Sequence, residues 1–430
     1  MTTVHELRQP LIGDTSGLWG GLEYTTWQDE QLSWKTDCYI GDWTFLWEWR
    51  FTGPEALKLI ADHSVNSFAT FAVGQAKHTI QCDERGQIIH EGIVLRLGEE
   101  EFLSFGMGGF YLAHRLRAGG YDAEAVSEDW FNYQVSGPKA LFAVEAAAGQ
   151  SLRDVKFMHA GDITIAGHRV KAMRQGMAGE IGYELIGARE HGDDVYQAVL
   201  AAGQPFGIRR MGARVAMINH LEACFPTLTF DYVPAIHGTP YYAELEAALP
   251  FLSQLFRVKG SFEGTEIADW YRNPVELGWG RNVKFDHDFV GRDALQREVT
   301  APRREIVTLR WNADDVTDVY RSQLSTDGPR YQYMEIPRDL KGYMWADRVL
   351  LPDGTDVGVS TSRGFSEYFK EMLSLCTIDV AHTEPGTEVV VVWGDPGSPQ
   401  KEIRATVAPA PYKTDNRRAD VSALQAPAPA

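Results

Sequence analysis

The sequence predicts an α+β protein in which two related lobes precede a C-terminal β-barrel or sandwich. Three observations predict it. Residues 51–60 read FTGPEALKLI and residues 135–144 read VSGPKALFAV, a repeated strand end, Gly-Pro turn and helix start. Each copy is followed by strand-type hairpins. Beyond residue 300 the texture changes to short β-type runs separated by turn signals. The length of 430 residues fits two or three domains at about 150 residues each. With 44% hydrophobic and 23% charged residues the chain can build a large core and does not read as disordered.

Each element has a local reason. Pro54 and Pro138 stand at predicted helix starts, where a missing N–H costs little. Leu57, Ile60 and Ala61 then share one helical face. The first hairpin region is HTIQCDERGQIIHEGIVLRLGEEEFLSFG, with Asp83-Glu84-Arg85-Gly86 as its turn. The second runs from VKFMHAGDITIAGHRVKAMRQG to YELIG, and a fainter echo of the repeat, FVGRDAL, spans 289–295. The C-terminal runs are EIVTLRW, RVLLP, VGVST, LCTIDV, TEVVVVWG and EIRATVAP, split by turns such as Pro352-Asp353-Gly354. The expected boundaries are 1–298 for the two lobes, 299–417 for the β region and 418–430, RADVSALQAPAPA, for a flexible end.

The charge balance is 41 basic against 59 acidic residues, a net −18. That argues against nucleic acid as partner, since phosphate binding needs clustered Lys and Arg. It argues equally against an anionic membrane surface. Cys38, Cys82, Cys224 and Cys376 lie far apart, without the spacing of a zinc ribbon, an iron–sulfur site or a dithiol. The start, MTTVHELRQP, has no apolar core of a signal peptide, and no run of about 18 apolar residues occurs. The expectation is a cytoplasmic protein with reduced thiols. GMGG at 106–109 has the wrong spacing for a dinucleotide loop, and neither a P-loop nor a G-x-S-x-G elbow is present.

Four clusters place polar residues in apolar, glycine-marked surroundings. The first is Arg174-Gln-Gly176-Met-Ala-Gly179-Glu180-Ile-Gly182-Tyr183-Glu184. Glu184 in a strand beside an aromatic suits a heterocycle with an amidine-like N–H pair, which a carboxylate accepts in bidentate fashion; the alternative is a surface-facing strand carboxylate. In Gly212-Ala213-Arg214, followed by Asn219-His220-Leu221-Glu222, Arg214 either binds a carboxylate or pairs with Glu222. Within NPVELGWGRNVKFDHDFVGRDAL, Asp286-His287-Asp288 looks like a metal triplet, but neighbours on a strand face opposite ways, so no metal is expected. In the apolar strand around Ile88-Ile89, His90 and Glu91 point to opposite faces, and a titratable pair there is costly to bury unless used or paired.

With EALKLIADHSVNS, GSFEGTEIADWY, VTLRWNADD and LCTIDVAHTEPGTEVVVVWG, these clusters resemble the glycine-cleavage aminomethyltransferase superfamily of tetrahydrofolate enzymes. Within it the chain is similar to the aryl O-demethylases of the vanillate and syringate type, over most of residues 25–412. The resemblance implies a three-lobed disc, with two related folate-binding lobes, a C-terminal β-barrel-like lobe and a central channel that takes the pterin. It implies that Glu184 holds the pterin's 2-amino and N3 hydrogens, with Tyr183, Arg214 and Asn219 as further cofactor candidates. Glu91 stands where the superfamily usually has an aspartate near the folate nitrogens that handle the one-carbon unit. Met107, after Gly106, stands where the aryl demethylases carry an arginine, and His237 in Pro234-Ala-Ile-His237 where they carry a tyrosine. The substrate should therefore be gripped differently: Met107 offers a soft apolar surface, and His237 is a candidate proton donor.

The function so implied is transfer of the O-methyl group of a methoxybenzoate-class aryl ether to N5 of tetrahydrofolate, giving 5-methyltetrahydrofolate and a phenol. The expected catalytic residues are His237 and Glu91, and the substrate-binding residues Met107, His90, Trp27 and Trp47. The tryptophans come from an excess near the start, where Trp19, Trp27, Trp34, Trp43, Trp47 and Trp49 all precede residue 50 and could wall a flat ring. Alternatives are aminomethyl transfer in glycine cleavage, demethylation of a small sulfonium or N-methyl compound, and a non-catalytic folate-binding protein. Because folate and a benzoate are both anions, local cations must overcome the net −18, and the run Arg209-Arg210-Met-Gly-Ala-Arg214 is a candidate rim for the folate tail.

Overall fold

The two Gly-Pro segments head two lobes of matching topology. The computed structural model describes residues 20–249, 256–338 and 343–426, so Trp19 lies outside the described residues. Helix α1 (Trp27–Thr36), capped by the Thr26 side chain, and strand β1 (Cys38–Asp42) come first. One lobe runs β2 (Glu48–Thr52), α2 (Ala56–Asp62), β3 (Ala76–Cys82), β4 (Ile88–Gly98), β5 (Glu101–Phe105), α3 (Gly108–Arg117) and β6 (Glu124–Glu128). The other runs β7 (Trp130–Ser136), α4 (Ala140–Ala148), β8 (Ala160–Ile165), β9 (His168–Met173), β10 (Gly182–Ala188), α5 (Gly192–Gly203) and β11 (Ile208–Arg210). Their sheets are ordered β3-β4-β5-β2-β6 and β8-β9-β10-β7-β1-β11. The copies correspond element for element, with β1 slotted between β7 and β11.

The repeated glycine explains why the motif recurs. Gly53 and Gly137 sit at φ +120° and +139°, a region L side chains rarely adopt. A Cβ on Gly53 would lie 2.8 Å from the Asp122 carbonyl oxygen, and one on Gly137 2.5 Å from that of Asp37. The turn is pressed against backbone, so each helix begins two residues after its proline, at Ala56 and Ala140, rather than at it. The buried face of α2 is accordingly Ala56, Leu59 and Ile60. The Asp83–Gly86 turn forms as expected: Gly86 takes φ +78°, and the Asp83 carboxylate accepts from the Arg85 and Gln87 N–H groups.

Helix α6 (Ala213–Glu222) has every residue but Arg214 buried. It is wedged between β1 and the barrel, in a cluster that joins Trp34, Tyr39, Met217 and Ile218 to Leu373 and Leu375. Such all-round burial fits its lack of an amphipathic pattern. After α7 (Pro240–Ala248), β12 (Arg257–Lys259) and a long loop comes α8 (Arg292–Thr300), preceded by Gly291 at φ +85°.

The β-type runs then close into a six-stranded barrel, which decides between barrel and sandwich. From residue 304 the elements run β13 (Arg304–Trp311), α9 (Ala313–Leu324), β14 (Tyr343–Trp345), β15 (Asp347–Leu350), β16 (Asp356–Ser366), β17 (Glu371–Asp379), β18 (Glu388–Trp393) and β19 (Lys401–Ala408), and the barrel order is β13-β17-β16-β15-β18-β19. Strand β14 pairs with β12 outside the barrel. Residues 418–426 differ from the expected flexible end: Val421 is buried in the second lobe's core, and Arg153 Nη1 donates to the carbonyls of Val421 and Leu424. No described helix is long and apolar enough to cross a membrane.

Candidate functional site

A cavity of about 1170 Å³ lies where the two lobe sheets, α6, the Trp279–Lys284 loop and the segment after the barrel meet. It exceeds the roughly 300–1,000 Å³ of an ordinary small-molecule site, leaving room for two ligands side by side.

Glu184 lies on its wall. Strand β10 is flanked by β7 and β9, with Gln134 and Met173 in register beside Glu184. The pleat sends Tyr183 into the second lobe's core and Glu184 to the cavity. The preceding glycines serve chain packing: a Cβ on Gly182 would lie 2.9 Å from the Gln175 carbonyl oxygen. That approach delivers the Gln175 amide, which donates to Glu184 Oε1 at 2.6 Å, while Gln134 Nε2 lies 3.4 Å from the same oxygen. Burial pushes the Glu184 carboxyl up to about 7, against the hydrogen bonds from Gln134 and Gln175. A ligand offering an N–H pair would compensate that burial and draw the group to its ionised form.

The other lobe contributes an imidazole–carboxylate pair. His78 Nε2 lies 2.7 Å from Glu91 Oε2, both line the cavity, and Asn282 Nδ2 is 3.4 Å from His78 Nδ1. The His78 ring stands edge-on to Trp279 at 4.9 Å. His90 takes the opposite face of β4, fully buried against Tyr241 at 5.6 Å. Neither of its ring nitrogens has a hydrogen-bond partner among the described residues, and burial pushes its pKa down to about 3.

One part of the cavity is apolar: Trp47, Met107 and Phe256 line it and pack against a single cluster around Ile236 and Tyr241. His237 is not among the lining residues. It is half-buried, with its ring 5.5 Å from Phe256 and 5.0 Å from Tyr242. Trp27 also lies outside the lining, edge-on to Phe365 at 6.2 Å. Arg214 pairs with Glu23 at 3.1 Å away from the cavity, and Glu222 pairs with Lys35 instead. Arg209 is held by Asp29 and Asp37, and Arg210 stacks on Tyr24 at 3.8 Å. The cations on the cavity wall include Arg281, Lys284, Arg417 and Arg418. Asn219 is buried one layer behind the wall, between Tyr39 and His220.

Of the residues expected at the site from sequence, Glu184, Glu91, Met107 and Trp47 line this cavity. Gln134, Gln175, His220 and Trp279 had no role in that expectation. Gln134 had one signal: with Asn132 it is one of two amides in the strand FNYQVS. Its partner was not legible, because register is set by the neighbouring strand.

The GCVT N-terminal domain family matches residues 1–251. The chain is 36% identical to a sesamin methylene transferase of Sinomonas sp., over 95% of this chain and 94% of that protein. It is 32% identical to a syringate O-demethylase of Sphingobium sp., over 91% and 89%. It is 28% identical to an aminomethyltransferase of Saccharopolyspora erythraea, over 95% of each. Among solved structures, the glycine cleavage system aminomethyltransferase T from Bartonella henselae matches with a TM-score of 0.68 and 19% identity, over 96% of this chain and 97% of that one, a likeness of fold.

Proposed function

The chain belongs to the aminomethyltransferase family marked by the GCVT N-terminal domain, and from that membership we propose that it moves a one-carbon unit from an aromatic ether to tetrahydrofolate. In its narrowest form the O-methyl group of an aryl methyl ether goes to N5, giving 5-methyltetrahydrofolate and a phenol. The observation that carries this reading is one cavity holding a buried acceptor, Glu184, an imidazole–carboxylate pair, His78–Glu91, and an apolar patch with Trp47 and Met107.

When bound, tetrahydrofolate supplies the amine nitrogen that receives the one-carbon unit. Glu184, steadied by Gln175 and Gln134, suits the N–H pair of a pterin. Trp47, Met107 and Phe256 suit the face of a flat ring. One carbon–oxygen bond breaks and one carbon–nitrogen bond forms; the aryl oxygen keeps the electron pair and takes a proton, and the amine loses one. The leaving oxygen is poor until protonated, and a positioned acid contributes typically about 10²–10⁴-fold. His78, with Glu91 behind it, takes that role in this reading, ahead of His237 on the far side of Phe256. Arg281 and Lys284 suit the carboxylates of the folate tail.

A second reading, favoured by the 36% identity to the sesamin methylene transferase, is transfer of a methylene unit from a methylenedioxybenzene. Anaerobic incubation with tetrahydrofolate and a panel of methoxybenzoates, neutral anisoles and methylenedioxybenzenes separates the two. The first predicts 5-methyltetrahydrofolate with a phenol, the second methylenetetrahydrofolate with a catechol. Glycine-dependent methylenetetrahydrofolate formation with a lipoyl carrier protein would instead indicate an aminomethyltransferase. If no aryl ether yields a phenol or catechol, the aromatic reading fails.

A further inference from the structure

Helix α6 supplies a cavity residue that the reading above does not use. His220 is 4% exposed and lines the cavity. Its Nδ1 lies 3.0 Å from the Ala216 carbonyl oxygen and 2.5 Å from Asn219 Oδ1. A carbonyl can only accept, so Nδ1 carries the hydrogen and Nε2 is left as a lone pair. Nε2 has no protein partner among the described residues, and it is not sealed away from the cavity. Burial pushes the ring's pKa down to about 4, so at neutral pH it presents an acceptor and no cation.

A chain of hydrogen bonds continues from His220 to Glu184. With Oδ1 facing His220, Asn219 turns Nδ2 to the Tyr39 hydroxyl at 3.2 Å. Tyr39 accepts there and donates to Gln134 Oε1. Gln134 Nε2 then faces Glu184 Oε1 at 3.4 Å. Every donor points the same way, from His220 to Glu184. The far end agrees with that direction, because Glu184 in its ionised form only accepts. Hydrogen bonds in such a chain polarise one another.

We propose that His220 Nε2 accepts a hydrogen bond from an N–H or O–H group of the ligand in the cavity, and that Asn219, Tyr39 and Gln134 tie this contact to Glu184 as one binding unit. The inference rests on the reading of Glu184 as the pterin's acceptor. The donor is an amine of the reduced pterin or a hydroxyl beside the ether of the aromatic substrate. His220 touches the ligand; Asn219, Tyr39 and Gln134 are positioning residues. The other titratable groups facing the chain are Glu91 at the His220 end and Glu48 at the Glu184 end. Burial pushes the Glu48 carboxyl up to about 9 and raises the Tyr39 phenol, so both are neutral at pH 7.

The test is tetrahydrofolate binding to wild type, Tyr39→Phe, His220→Ala and His220→Gln as a function of pH, with the KM of an aryl ether measured alongside. Tyr39→Phe takes the hydroxyl partner from two buried amides and should fold with a lowered thermal unfolding midpoint, bind tetrahydrofolate about tenfold more weakly at neutral pH, and shift the acid limit of binding upward. His220→Ala should weaken tetrahydrofolate about tenfold if the pterin is the donor, or raise only the KM of the ether if the substrate hydroxyl is. His220→Gln, whose amide oxygen also accepts, should recover most of the loss. An unmoved acid limit in Tyr39→Phe, or a His220→Ala protein altered in neither ligand, overturns the inference. Wild-type protein that binds no tetrahydrofolate would remove the folate reading and this inference with it.

Discussion

Glu184 is the residue whose chemistry was partly legible and partly hidden. A glutamate between Tyr183 and Leu185 in a strand announces alternation, but not which face is the cavity. Its carboxyl, pushed up to about 7 by burial, gives a signed prediction. Between its ordinary value of 4.5 and about 7 the folded protein binds more protons than the unfolded chain, so its contribution to stability falls as pH rises, by about 1.4 kcal/mol for each step of one in pH. Glu184→Gln should therefore lack ligand affinity yet gain stability over ligand-free wild type, with a difference that widens from pH 5 to pH 7. Denaturant unfolding at several pH values checks this; a constant difference would contradict it. For the proton donor, His78→Ala should lower kcat by about 10²-fold or more. His237→Ala should stay within about threefold in kcat, since its nearest ring contacts are Tyr242 and Phe256 and it lines no part of the cavity. Steady-state kinetics with a turned-over ether separates the two. The reverse ranking would return the role to His237.

Among the elements, the repeat read from FTGPEALKLI and VSGPKALFAV is a repeat of strand order, held by a glycine that only backbone contact explains. Gly137→Ala would place a Cβ 2.5 Å from the Asp37 carbonyl oxygen at a φ of +139°. It should cost about 1–3 kcal/mol, read as a lower denaturant midpoint. The adjacent Lys139 pairs with Asp37 at 2.6 Å, so the loss should also loosen the seat of β1. The C-terminal segment shows where composition misleads. Alanines and prolines dominate its end, but Val421 is buried in the second lobe's core and Arg153, 268 residues away along the chain, donates to its carbonyl. Helix α6 was equally opaque: it has no amphipathic stripe because sheet and barrel enclose it, so no periodicity could assign a face to His220 or Asn219.

For the molecule as a body, the net −18 surrounds a cavity whose wall carries Arg281, Lys284, Arg417 and Arg418. The long-range field should repel an anionic folate while these groups attract it at close range. Raising salt from about 0.01 M to about 0.15 M shortens the screening length from roughly 30 Å to roughly 8 Å. The association rate of tetrahydrofolate should then rise, by stopped-flow tryptophan fluorescence; a falling rate would mean that the local cations dominate at range. Local sequence was enough to set the α+β class, the duplicated lobes, the change of texture at residue 300 and the alternation that separates Glu91 from His90. These are properties of period, turn chemistry and composition, which neighbouring residues carry. Three-dimensional packing was needed to close the β region as a barrel, to bring Glu91 to His78 and to bring two amides from other strands and loops to Glu184. It also committed the arginines of residues 209–214 to Tyr24 and the carboxylates of Glu23, Asp29 and Asp37. Each of those depends on strand register or lobe packing, which brings distant residues together through burial rather than through any local pattern.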